Sequence, residues 1–284
     1  MIRSLFSAVS GLRGHQTMLD VIGNNIANVN TASFKSSRVI FSDLYYQTLS
    51  AASAPTATAG GNNPTQIGYG SMVSTVDVTN TRSSFQQTSR ALDLYISGEG
   101  YFVVQNSAGE VNYTRLGALS FDPAGNLLDS GGNILMGQVA TPPIAPPAAL
   151  PPMPNPPTII NIANFDDYTS ISIQPDGTIT GTNTNTNAIE TLGQLAIAVF
   201  QNPNGLLQSG TSYFSETVNS GAPAFETAGS PNAGALVSGG LEMSNVDLSK
   251  EFTDMIIAQR GFQANARVIT TSDQVLEELV NLKR

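Results

Sequence analysis

The sequence predicts an α+β protein in which two long terminal helices pair as a coiled coil and the centre of the chain is mainly β. Three observations carry this. Apolar residues recur in alternating steps of four and three at both ends, the middle changes to a period of two, and one proline-dense stretch interrupts that middle.

The C-terminal run has the stronger pattern. From Leu248 the steps land on Phe252, Met255, Gln259, Phe262, Ala266, Ile269, Asp273, Leu276 and Val280, so eight of ten seam positions are apolar. Ser244, Asn245 and Asp247 offer N-caps just ahead of it, and Lys283 and Arg284 place positive charge at the negative end of the helix dipole. About 33 residues rising 1.5 Å each make a rod of roughly 50 Å. A narrow apolar stripe on such a rod needs a second helix to cover it.

The N-terminus offers one. From Leu5 the same steps reach Val9, Leu12, Gln16, Leu19, Gly23 and Ile26, with Ala8 and Ile22 widening the stripe. Gly11 and Gly14 permit close approach, and Asn24, Asn25, Asn28 and Asn30 break the pattern. An ordinary helix pair inside a monomer is the plain alternative. The helices are long, terminal and separated by more than 200 residues of different character, which favours assembly helices. Gln16, Gln259 and Asp273 are polar within the seam, where such residues serve to fix register. With the seam uncovered, the helices of a free monomer are expected to be largely disordered and to fold on assembly.

The expected organisation is an inner assembly domain from residues 1–70 and 241–284, including an extended connector, and a β-rich outer domain over 71–240. In the connector, residues 53–70 are mainly Gly, Ala, Thr, Asn and Pro, without period. Phe41, Leu44, Tyr45 and Leu49 suggest a short helical turn that docks on a neighbour. In the β region Val76 and Val78, then Leu92, Leu94 and Ile96, alternate with other residues, and Tyr101, Phe102, Val103 and Val104 form the next strand. Turn signals at 122–125, 130–133 and 175–177 mark hairpins. Nine of the sixteen residues over 142–157 are proline, which favours a stiff polyproline II excursion. Residues 205–240, rich in Gly, Ser, Ala and Pro, read as a flexible joint.

Composition excludes several functions. The net charge is −9, and no Lys or Arg occurs between Arg115 and Lys250, an interval holding ten acidic residues. Nucleic-acid binding, which rests on clustered cations, is not expected. The absence of cysteine removes disulfides, thiolate catalysis and Cys-ligated zinc. No run suits a Sec signal or membrane insertion. His15, the one histidine, has no carboxylate nearby in sequence to make it a general base. Asp166, Asp167 and Asp176 lack the rhythm of a calcium loop, and residues 97–100 lack the Gly-Lys-Ser/Thr of a phosphate loop. No catalytic, cofactor-binding or metal site is therefore expected, and no enzyme. A β-domain adhesin module and a glycan hydrolase are the rival classes, the latter needing a carboxylate pair that no motif supplies.

Residues 19–31, LDVIGNNIANVNT, with Phe34-Lys35 after them, resemble the N-terminal signature of the flagellar hook and rod axial proteins. Residues 241–248, LEMSNVDL, continuing through QRGFQAN at 259–265 to TTSD at 270–273, resemble its C-terminal half. Leu92-Asp93-Leu94, Gly98, Gly100, Tyr101, Phe102 and Tyr113-Thr114-Arg115-Leu116-Gly117 match internally. Within that family, QIGYG at 66–70 and the ending ITTSDQVLEELVNLKR are most similar to the short hook proteins of Gram-positive-type flagella, with the distal rod proteins as the alternative.

The resemblance implies a structural subunit of the bacterial flagellum that serves motility. Its terminal helices would form an inner, D0-like domain lining the channel of a helical tube, and its β region an outer, D1-like layer. Subunits would stack by head-to-tail contacts that do not close. The curved hook acts as a universal joint between rod and filament. The implied seam is Leu5, Val9, Leu12, Leu19 and Ile26 with Leu248, Phe252, Met255, Phe262, Ile269, Leu276 and Val280. Implied partners are further copies of the chain, the distal rod, hook cap and hook–filament junction proteins, and the flagellar type III export apparatus, which would deliver the chain outside the cell. Phe41 and Tyr45 are similar to the motif read by that export gate.

Overall fold

The computed structural model describes residues 2–55, 60–144 and 153–282, which fall into two compact units. The first gathers both ends of the chain, residues 1–29, 36–79 and 246–284. The second comprises residues 30–35 and 80–245.

Two helices, α1 (Ile2–Ala27) and α2 (Leu248–Asn281), dominate the first unit. Of the three candidate caps, Asp247 starts α2: its carboxylate accepts from the Ser249 and Lys250 N–H groups at 2.9 and 3.3 Å. Lys283 and Arg284 lie outside the described residues. At the end of α1 the Asn28 side chain donates to the Asn24 carbonyl at 2.9 Å, closing the last turn. Asn25 does something else. It is buried inside α1, donating to the Ser37 carbonyl at 2.8 Å and to Glu251 Oε1 at 3.2 Å, and accepting from the Ser37 N–H at 3.0 Å.

The helices run antiparallel, since Gly11 faces Asn265, His15 faces Gly261 and Asn25 faces Glu251. A Cβ on Gly11 would stand 2.6 Å from the Asn265 amide nitrogen, and one on Gly261 2.5 Å from the His15 ring. With a Cβ at either position the facing side chain would have to shift.

The connector is a two-stranded ribbon, not a structureless link with a helical turn. Strand β1 (Ser37–Asp43) pairs antiparallel with β4 (Ser71–Val78), and β2 (Tyr46–Ser50) with β3 (Thr65–Gly68). Phe41 lies in β1 and Leu49 in β2 because their partner strands are distant in sequence, β4 beyond the Gly/Pro passage and β3 within it, and this non-local pairing overrides local helical spacing. Ser71–Val78 thereby sits in the first unit, although its period of two grouped it with the β-rich centre.

The second unit is built on a twelve-stranded sheet with its long strands at the centre. Ile189–Val199 pairs antiparallel with Thr178–Asn183, Ile134–Ile144, Tyr101–Gln105 and Ala224–Thr227 along different parts of its length. Phe102, Leu127, Leu135, Ile160, Ile179, Leu195 and Ile197 fill the main core. A smaller cluster joins Tyr101, Tyr113, Phe200 and Phe214, whose rings meet edge to face at 4.9–5.9 Å.

The turns fall where the sequence placed them. Asp129 Oδ1 accepts from the Gly131 and Asn133 N–H groups, and Gly177, with φ +82°, closes the hairpin between Tyr168–Ile173 and Thr178–Asn183. Residues 205–240 form no flexible joint: Leu207–Gly210, Tyr213–Ser215, Ala224–Thr227 and Ala235–Ser238 are strands of three or four residues, too short to show a period. Of the proline-dense stretch, residues 145–152 lie outside the described residues. Its start, Pro142 and Pro143, belongs to the strand Ile134–Ile144.

Candidate assembly surface

The two helices cover few large side chains between them. Their line of contact runs through Gly11, His15 and Asn25 on α1 and Asn265, Gly261 and Glu251 on α2, and Ala8, Ile22 and Ala258 are the buried apolar residues of the pair among the described residues. On α1 this line is displaced by one position from the heptad drawn through the larger residues. Leu5, Leu12, Leu19 and Ile26 are half-buried beside it, while Val9 and Gln16 are exposed. On α2, Met255, Ala266, Ile269 and Leu276 are half-buried, and Leu248, Phe252, Gln259, Phe262, Asp273 and Val280 are exposed. Small residues make the contact because they let the backbones approach, which leaves the bulky ones at its flanks.

Large apolar side chains therefore remain uncovered on both helices. Phe6, Phe252, Ile256, Ile257, Val275, Leu279 and Val280 are all exposed, Phe6 by 65% and Val280 by 68%. So many exposed large apolar side chains on one pair of helices mark a site of macromolecular contact. The ribbon adds Tyr45, Tyr46, Leu49 and Ile67. Phe41 is partly sheltered, its ring 6.1 Å from that of His15 and against Gly14, whereas Tyr45 projects into solvent. His15 Nδ1 is buried without a hydrogen-bond partner among the described residues, and the ring packs against Gly261 and Phe41.

The second unit holds a buried cluster of three charges. Lys35 Nζ donates to Glu242 Oε1 at 2.6 Å and to the Thr81 carbonyl at 2.8 Å. Arg115 donates through Nη1 to Glu242 Oε1 at 3.4 Å, through Nε to the Gly100 carbonyl at 3.0 Å, and through Nη2 to the Gly98 carbonyl. The Ser83 N–H adds a third donor to Glu242 Oε1 at 3.1 Å, and the Arg115 guanidinium lies 5.5 Å over the Tyr101 ring. Burial pulls the Lys35 ammonium below its ordinary pKa, against the opposing pull of Glu242. Sequence patterning missed this cluster because none of its members sits on an apolar period. A signal was available in the scarcity of cations, 12 Lys and Arg in 284 residues, two of which are buried.

The acidic candidates are turn and loop residues. Asp176 accepts from the Thr178 N–H and hydroxyl at 3.1 and 2.7 Å, and Asp166 and Asp167 belong to the 3-10 turn Phe165–Asp167. Among the described residues, no helix is long and apolar enough to cross a membrane.

Three family models match the chain: "Flagella basal body rod protein" over residues 5–35, "Flagellar hook protein FlgE/F/G D1 domain" over 95–181, and "Flagellar basal body rod FlgEFG protein C-terminal" over 237–282. The flagellar basal-body rod protein FlgG of Bacillus subtilis is 44% identical over all of both chains. The chain belongs to the flagellar rod and hook protein family. FlgG of Agrobacterium fabrum is 36% identical over 96% of this chain and 97% of its own, and the flagellar hook protein FlgE of Borreliella burgdorferi 31% over all of both. This flagellar rod and hook protein is thus a structural component of the flagellum, as the two signatures imply. The family segments also make sense of the charge cluster: Lys35 comes from the first, Arg115 from the second and Glu242 from the third. One buried carboxylate joins the pieces that sequence keeps far apart.

Proposed function

We propose that the chain is a subunit of the distal rod of the flagellar basal body and that it polymerises with copies of itself into a tube. What supports the rod over the hook is length: the rod relatives align over 277 to 289 residues, while the hook relatives require alignments of 446 and 465. The hook was the leading expectation from QIGYG and the C-terminal ending, and it stands as the second reading because a hook protein is 31% identical from end to end. Self-assembly is supported by the apolar flanks of α1 and α2, which the chain's own fold does not cover. A copy stacked on the next would bury them, and each large side chain so buried contributes about 1.5–3 kcal/mol.

In this reading the inner unit binds neighbours, the β unit forms the outer layer, and the product is mechanical, with no reaction catalysed. Export by the flagellar type III apparatus, with Phe41 and Tyr45 as the segment it reads, belongs to the same proposal, as do contacts with the other axial proteins at the ends of the tube. Immunogold labelling of isolated hook–basal bodies tests the placement. Gold on the rod just below the hook is expected. Gold along the curved hook would replace the rod reading with the hook.

A further inference from the structure

We propose that the free end of α2, residues 275–282, seats in a groove beside α1 of a second copy of this chain. The idea rests on the self-assembly reading above and names the contact that would carry it.

The antiparallel register supplies the first observation. Continuing from Asn25–Glu251 and Gly11–Asn265, the start of α1 at Ile2 falls opposite position 274 of α2. Everything beyond is overhang. At about 100° per residue, Val275, Leu276, Leu279, Val280 and Leu282 share one side of the helix, with Glu277 and Glu278 at its two borders. Four of these five apolar residues are exposed, and Leu276 is half-buried.

The groove supplies the second. It has a volume of about 640 Å³ and lies between α1 and the ribbon, floored by Phe6, Val9, Leu44, Met72 and Val73. Arg13 is the one charged residue lining it among the described residues, and Arg3 stands close by, 5.9 Å over the ring of Tyr69, which lines the groove too. An apolar floor with arginines at its edge complements an apolar helix side bordered by glutamates.

The occupant cannot be the chain's own helix end. In the observed register Val9 faces position 267, so Leu279 lies twelve residues farther along α2, roughly 18 Å away. The groove and the overhang are different patches of one surface, so a contact that the same partner does not return is head-to-tail and leaves a free groove and a free end at every stage. Such contacts propagate without closing.

The chain has no cysteine, which makes the test direct. In the doubly substituted Val9→Cys, Leu279→Cys protein, a disulfide can form only between copies, because the two positions of one chain are too far apart. Oxidised polymers should give a ladder of chain multiples on a non-reducing gel. In parallel, Arg13→Glu should cut the yield of sedimentable polymer about tenfold, and adding Glu278→Arg should restore it. Both substituted positions are exposed and lie outside the second unit, so the thermal melt of that unit should stay unchanged. Polymers that form without a ladder and are indifferent to Arg13→Glu would overturn this contact and leave self-assembly standing. A wild-type chain that never polymerises would overturn both.

Discussion

Lys35 and Glu242, 207 positions apart in sequence, meet at 2.6 Å with 1% of either side chain exposed. Arg115 completes the cluster, and Glu242 is its one anion. Removing that anion would leave two buried cations facing each other. Glu242→Ala is therefore expected to cost about 3–5 kcal/mol of the β unit's stability, the scale for breaking a buried pair from one side. Glu242→Gln, which keeps an acceptor, should cost less. Urea unfolding followed by tyrosine fluorescence measures both, and a loss under ~1 kcal/mol for Glu242→Ala would contradict the role assigned to the cluster.

Alkaline pH should unfold the β unit through its tyrosines. Burial raises the Tyr101 hydroxyl to about 12, with Arg115 pulling the other way. Tyr113 is raised by burial and then by Glu216, and Tyr213 by burial and then by Asp129, which accepts its proton at 2.6 Å. A phenol whose folded pKa lies above its unfolded value contributes stability that is complete below pH ~10 and is lost as pH rises through the folded value. Stability should thus be flat near neutrality and fall from pH ~10 to 12. Titrating tyrosinate absorbance alongside circular dichroism checks this. Part of the eight-tyrosine signal should appear only with unfolding, and smooth ionisation of all eight in a folded chain would contradict it.

The close approach of the helices at Gly261 gives a test of their packing. A Cβ there meets the His15 ring, so Gly261→Ala should weaken the helix pair by about 1–3 kcal/mol, the usual scale of overpacking. His15→Ala should relieve most of that loss when combined with it. Thermal melts of polymers of the four proteins, in which the helices are ordered, form a double-mutant cycle. Simple additivity would show that these residues do not meet.

Phe41 separates export from packing. Phe41→Ala should reduce the amount of chain secreted by cells with an intact export apparatus, and Tyr45→Ala should do so as well, since Tyr45 is exposed and has little to lose in packing. His15→Ala, which removes the ring beside Phe41 while leaving Phe41 in place, should not. Undiminished secretion of Phe41→Ala would end the export role.

How far the sequence carried these features depends on their range. The helices, the Asp247 cap and the 175–177 hairpin were legible because each is set within a few residues. The ribbon was not, since Ser37–Asp43 finds its partner more than 25 residues away across a passage without period. The heptad through Leu5, Leu12 and Leu19 followed side-chain size, whereas the helices pair along Gly11, His15 and Asn25, where smallness and hydrogen bonding decide. Asn25 read as a break in the apolar seam, and it is a buried hub that hydrogen-bonds Ser37 and Glu251. The charge cluster assembles from three segments, and no single window contains it.

Among the described residues the helix pair buries one isoleucine and two alanines as its apolar contribution, too little to offset the ordering of two helices totalling 60 residues without help from neighbours. The most direct measurement is circular dichroism of the purified chain across a concentration series that spans polymer formation, with electron microscopy of the same samples. Helical signal should be low in the dilute chain and rise together with the appearance of tubes. Full helicity in a compact monomer that stays monomeric at every concentration would contradict the claim that the terminal helices are completed by other copies.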